Sequence, residues 1–141
     1  MRNNRYKFLL TFLWLLWTAG VLYGSLAPGD DLPSGWFAWI PHFDKLVHFG
    51  FYAGEMALLL LLFDPPTWRR GGILLLVIAA SALIEYLQGA YFDRSNDGWD
   101  LLANSIGALT GLLAAPLLQR CIDRLRQNHP SASDPSEAPL G

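Results

Sequence analysis

The chain has 141 residues, and charged residues make up only 16% of it against 52% hydrophobic, with a net charge of −2. That length excludes a large multidomain enzyme, and the lack of a basic excess excludes an electrostatic nucleic-acid binder, which needs a positive surface to neutralise phosphates. One cysteine excludes an internal disulfide and a Cys-based four-ligand zinc site, and soluble domains carry about 25% charged residues, so the deficit points to a bilayer.

Residues 8–26 hold no charge and are dense in Leu, Trp and Phe. A hydrocarbon core of about 30 Å needs about 20 helical residues, so this stretch is expected to cross a membrane. It reads as an uncleaved anchor helix. The alternative, a signal peptide cleaved after Ser25-Leu26-Ala27, is disfavoured by Pro28 and by an apolar run longer than the usual h-region of about 7–15 residues.

Pro28, Pro33 and Pro41 bracket the first connection, where the segment around Trp36 is expected to form a short helix on the membrane surface. The second span, 46–63, includes His48 and Glu55, and Asp64-Pro65-Pro66 breaks it. The third, 72–88, includes Glu85 and is ended by Asn96-Asp97-Gly98, and the fourth is 101–118. The expected fold is therefore all-α: a polytopic membrane four-helix bundle over 1–126, followed by a Pro/Ser-rich, disordered tail over 127–141. No internal repeat is evident.

Eight of the ten basic residues flank one side of these spans: Arg2, Arg5, Lys7, Arg69, Arg70, Arg120, Arg124 and Arg126. The positive-inside rule then puts both termini and the Arg69 connection in the cytoplasm. Only Lys45 and Arg94 break the pattern. Trp36, Trp39, Tyr91, Phe92 and Trp99 fit an aromatic belt at the outer interface.

Residues three, four and seven apart share a helix face. Asp44, His48, Tyr52 and Glu55 thus form one stripe on the second span, with Lys45 beside it. Ser81, Glu85 and Gln88 form a second stripe. On the fourth span Asp100 and Asn104 lead into Gly107 and Gly111. With both termini inside, the three polar stripes meet in the outer half of the membrane, His48 about 6 Å and Glu55 about 16 Å deeper than Asp44 at 1.5 Å rise per residue. Ionisable groups at such depth are costly and face one another, and they read as a functional site.

Plainer readings stand beside this one. Asp44 and Asp100 sit where a first-turn carboxylate caps a helix or answers its dipole, and Asp97 is a candidate N-cap. Asn104 and Ser81 suit cross-helix hydrogen bonds, and Gly107-x-x-x-Gly111 suits close helix packing. His42 reads as a surface residue. His48 and Glu85 fit these accounts least: a structural ion pair between them is one reading, and an imidazole and a carboxylate facing one cavity are also what acid–base chemistry or a cation site uses. The natural pairings are Lys45 or Arg94 with Asp97, Asp100 or Glu85.

The combination Asp44-Lys45-x-x-His48-Phe49-x-x-Tyr52, then Glu85-x-x-Gln88 with Arg94, then Asp100-x-x-x-Asn104-x-x-Gly107-x-x-x-Gly111 resembles the VanZ-like family of small membrane proteins over roughly 9–118. Arg94 and Asp100 keep that family's six-residue spacing, whereas Asn96-Asp97-Gly98 is more polar than its pattern. The resemblance implies a setting at the outer face of the bacterial plasma membrane. Founding members are associated with resistance to teicoplanin, a lipid-tailed glycopeptide, and a housekeeping role in envelope lipid or cell-wall precursor handling is the broader inference.

Two functions follow as expectations. The first is a binding protein whose outward polar pocket holds the head group of a lipid-linked or cell-wall precursor through Asp44, Lys45, Tyr52, Gln88, Arg94 and Asn104. The second is a membrane enzyme with His48 as general acid or base, Glu85 or Asp100 as its partner, and Arg94 with Lys45 stabilising a developing anion. A divalent metal on Asp44, His48, Glu85 or Asp100 is a variant of the second, although no diagnostic metal spacing appears. No motif specifies a cofactor or an oligomeric state. A transporter is disfavoured because no ionisable residue lies between Glu55 and the next connection.

Overall fold

The computed structural model describes residues 4–26, 40–91 and 98–128. They form four helices: α1 (Asn4–Leu26), α2 (Phe43–Phe63), α3 (Thr67–Tyr91) and α4 (Gly98–Asn128). No strand occurs among the described residues. Each helix is long and apolar enough to cross a membrane, and each runs past the span expected for it. A span marks where side chains must be apolar, while the backbone ladder continues through the polar residues at either end. α4 goes furthest, through Arg120, Asp123 and Arg124 to Asn128, and so takes in the first two residues of the segment read as a tail. The remainder of that tail, the Trp36 segment, and Trp39, Phe92, Arg94 and Asp97 lie outside the described residues.

The turn between α2 and α3 follows from its residues. Asp64 adopts the left-handed conformation, φ 45°, and donates its N–H to Leu60 O at 2.9 Å, closing the end of α2. Two prolines then prevent the helix from continuing. Arg70 folds back, with Nε donating to Pro65 O at 3.2 Å.

α2 and α4 form the tightest pair of the bundle. Their approach depends on Gly107 and Gly111: a Cβ on Gly107 would overlap the Phe49 carbonyl, and one on Gly111 the Ala53 carbonyl. Small residues replace the hydrophobic drive that is absent between helices in lipid. The core beside this seam consists of Val21, Tyr52, Met56, Leu60, Val77, Ala108 and Ala115. Large apolar side chains elsewhere face outward, among them Phe8, Leu16, Leu76, Leu83 and Leu113. So much exposed apolar surface suits a lipid solvent and not water.

α1 packs less closely and is tied down by polar contacts. Trp17 Nε1 donates to Phe51 O at 2.9 Å, and the Gln88 side-chain amide donates to Ser25 O. The second bond joins the end of α3 to the end of α1 at the end of the bundle where α2 and α4 begin.

Candidate functional site

That end gathers the polar stripes of three helices. His48 and Lys45 come from the first two turns of α2, Glu85 from α3, and Asp100 and Asn104 from the first two turns of α4. His48, Glu85, Asp100 and Asn104 are all buried, because the glycine seam draws α2 and α4 together directly below them.

Lys45 Nζ stands 2.6 Å from Asp100 Oδ1 and 2.8 Å from Asp44 Oδ2. The two carboxylates differ sharply, Asp44 being exposed and Asp100 buried. Asp100 therefore serves as more than a first-turn dipole partner, since its Oδ2 also approaches His48 Nε2 at 3.8 Å. On the other edge of the imidazole, Nδ1 lies 3.0 Å from Asn104 Oδ1 and 3.7 Å from Glu85 Oε1. Asn104 Nδ2 donates to Glu85 Oε1 at 3.3 Å. The result is a row that runs from half-buried Lys45 to the buried Asp100, His48, Asn104 and Glu85.

Tyr52, one turn deeper on α2, is 3% exposed, and its hydroxyl has no hydrogen-bond partner among the described residues. It lines an apolar cavity of about 440 Å³ between α1, α2 and α3, together with Glu55, Val77 and Ile84. Glu55 belongs to this deeper region. Its Oε1 accepts from Trp14 Nε1 at 2.7 Å and its Oε2 from Thr18 Oγ1 at 2.9 Å. Charge-assisted bonds of this kind offset the cost of placing a carboxylate there.

The structure thus brings together Asp44, Lys45, His48, Glu85, Asp100 and Asn104. Gln88, expected at the head-group site, instead ties α3 to α1 through Ser25. Ser81 donates to Ile78 O of its own helix at 2.9 Å and not across to a neighbour. Arg94 lies outside the described residues. Trp14 and Thr18 are not among the residues expected to matter, although their four-residue spacing puts two donors on one face of α1.

Two features bear on what the row can do. One ligand atom each from His48, Glu85 and Asp100 falls within 4.8 Å of the others, close enough to suggest a cation site. Against it, the two carboxylates approach opposite ring nitrogens, and the Lys45 ammonium already occupies Asp100. Chains of donors and acceptors around an imidazole are better suited to moving a proton. The second feature is a cavity of about 500 Å³ lined by His42, Lys45, Trp99, Leu102, Ala103 and Ile106. It meets the row at Lys45.

A family model described as VanZ/LLP1 matches residues 5–119, nearly all of the helical region. Comparison with curated proteins and with solved structures returns no match.

Proposed function

The chain belongs to the VanZ/LLP1 family, and we propose that it is a multi-pass protein of the bacterial plasma membrane whose polar cluster faces outward and receives the head group of a lipid-linked or cell-wall precursor. The distribution of basic residues supports that orientation, with both termini cytoplasmic. The observation that carries the reading is the position of Lys45. Its side chain is 23% exposed, lines the open cavity beside Trp99, and is anchored to buried Asp100 at 2.6 Å. An anionic group entering the cavity meets this ammonium and displaces the exposed Asp44 carboxylate, while Asp100 keeps the lysine in place. Asp44, once released, accepts hydroxyl or amine donors of the same head group. Teicoplanin acts at this face of the membrane, so resistance linked to the handling of such precursors is consistent with the reading.

The test is native mass spectrometry of the protein released from membranes with its lipids. Wild type retains a co-purifying lipid, and the Lys45→Ala, Arg94→Ala double variant loses it. Equal retention by both overturns the proposal.

A second reading, a membrane enzyme, is favoured by the placement of His48 between Asp100 and Asn104–Glu85. No turnover on a broad lipid panel, with an unchanged cell phenotype in His48→Ala, would sink it.

A further inference from the structure

The row of hydrogen bonds around His48 specifies which of its nitrogens carries the proton. Glu85, as a carboxylate, only accepts hydrogen bonds, so the Asn104 atom facing it is the amide nitrogen. That orientation turns the Asn104 carbonyl toward His48 Nδ1, 3.0 Å away. A carbonyl also only accepts, so Nδ1 bears the hydrogen and the neutral ring leaves Nε2 as a bare lone pair. The reverse tautomer, with Nε2 protonated and Nδ1 bare, requires a protonated Glu85 that donates to a flipped Asn104.

Nε2 faces Asp100 Oδ2 at 3.8 Å. Two acceptors at that distance make no hydrogen bond to each other, and an oxygen set to the side of the gap, about 2.8 Å from each, bridges them only if it carries two hydrogens, as water does. Lys45 holds the other oxygen of Asp100, so the carboxylate cannot turn away, and the same lysine borders the open cavity. We infer that Glu85 and Asn104 are positioning residues that hold His48 in its Nδ1–H tautomer, and that a water beside the gap between His48 Nε2 and Asp100 Oδ2 donates one hydrogen to each, with Nε2 as its proton acceptor. This deepens the acid–base reading of the site. When the proton transfers, the O–H bond breaks, its electron pair stays on the oxygen, and the hydrogen passes to Nε2. The imidazolium so formed lies between two carboxylates, Asp100 at 3.8 Å and Glu85 at 3.7 Å.

The experiment is nitrogen-15 NMR of full-length protein labelled at histidine, in nanodiscs near neutral pH, with His42→Asn, which tolerates the left-handed backbone there, and His129→Gln removing the other two histidine signals. The expected spectrum shows a protonated Nδ1 and an unprotonated Nε2. A protonated Nε2, as the other tautomer or as a standing imidazolium, overturns the inference. Asn104→Leu, checked for unchanged helicity by circular dichroism, should shift the proton to Nε2, and a folded variant that keeps the Nδ1–H tautomer removes Asn104 from the positioning role. Should that variant misfold, the wild-type spectrum alone decides the tautomer. A further arm tests the bridging molecule: magnetisation transfer from solvent protons to the His48 ring should appear, and its absence overturns the water site. The tautomer is read without added precursor, so the head-group proposal can fail by mass spectrometry while this inference stands, or the reverse.

Discussion

Lys45 Nζ and Asp100 Oδ1 lie 2.6 Å apart across the seam between α2 and α4, and Asp100 reaches His48 with its other oxygen. The lysine is thereby both the rim of the site and the counter-charge of a buried carboxylate. Removing one member of such a pair leaves the other desolvated and unmatched, at a cost of about 3–5 kcal/mol, whereas removing both is far milder. Lys45→Met should therefore lower thermal stability strongly in detergent. The double variant Lys45→Met, Asp100→Asn should recover most of the loss. Equal melting temperatures for wild type and Lys45→Met would show that the pair contributes no stability.

The glycine seam makes a separate prediction. Gly107→Ala pushes a methyl group into the Phe49 carbonyl, and Gly111→Ala does the same at Ala53. Both contacts are backbone, so relief requires the helices to move apart, and overpacking of this kind costs about 1–3 kcal/mol. Because the cluster sits directly above, Gly107→Ala should also lengthen the Lys45–Asp100 contact. Thermal unfolding in detergent checks the destabilisation, and unchanged stability would refute the seam as the determinant of approach.

Glu55 joins α1 to the other helices through Trp14 and Thr18, one bond to each carboxylate oxygen. Hydrogen bonds to charged groups are worth about 1.5–3 kcal/mol each, and a stranded acceptor costs more than an absent one. Trp14→Phe with Thr18→Val, which leaves the carboxylate without donors, should destabilise more than Glu55→Leu, which removes it. Comparison of unfolding midpoints checks the order, and the reverse order would mean that Glu55 has other support.

Much of this architecture is legible in the amino-acid sequence, for definite physical reasons. Lipid forces an uninterrupted apolar run of fixed length, so the four spans and the break at Asp64-Pro65-Pro66 follow directly from composition. Helical spacing likewise assigns His48, Glu85, Asp100 and Asn104 each to a face. What spacing cannot say is which neighbour that face meets. Gln88 shares a stripe with Glu85, yet it lies one turn nearer the helix end, where α1 is adjacent, and so it holds Ser25 instead of lining the cluster. Glu55 shares a stripe with His48 but lies two turns deeper and meets Trp14 and Thr18. The left-handed conformation of His42, φ 56°, which starts α2, is a backbone property that no side-chain pattern announces.

The orientation of the bundle decides whether the cluster meets the outside of the cell, and two exposed positions report it. Cys121 lies on α4 beyond the apolar span, at the end of the bundle opposite the cluster, and Ala90 lies near the end of α3 beside it. The excess of Lys and Arg around the Cys121 end argues that it is cytoplasmic, since such residues resist translocation. In intact cells a membrane-impermeant maleimide should therefore leave Cys121 unlabelled and react with Ala90→Cys made in a Cys121→Ser background. Permeabilising the membrane should expose Cys121. If Cys121 labels in intact cells and Ala90→Cys does not, the topology is inverted, His48 and Lys45 face the cytoplasm, and the head group they serve must be sought on the inner leaflet.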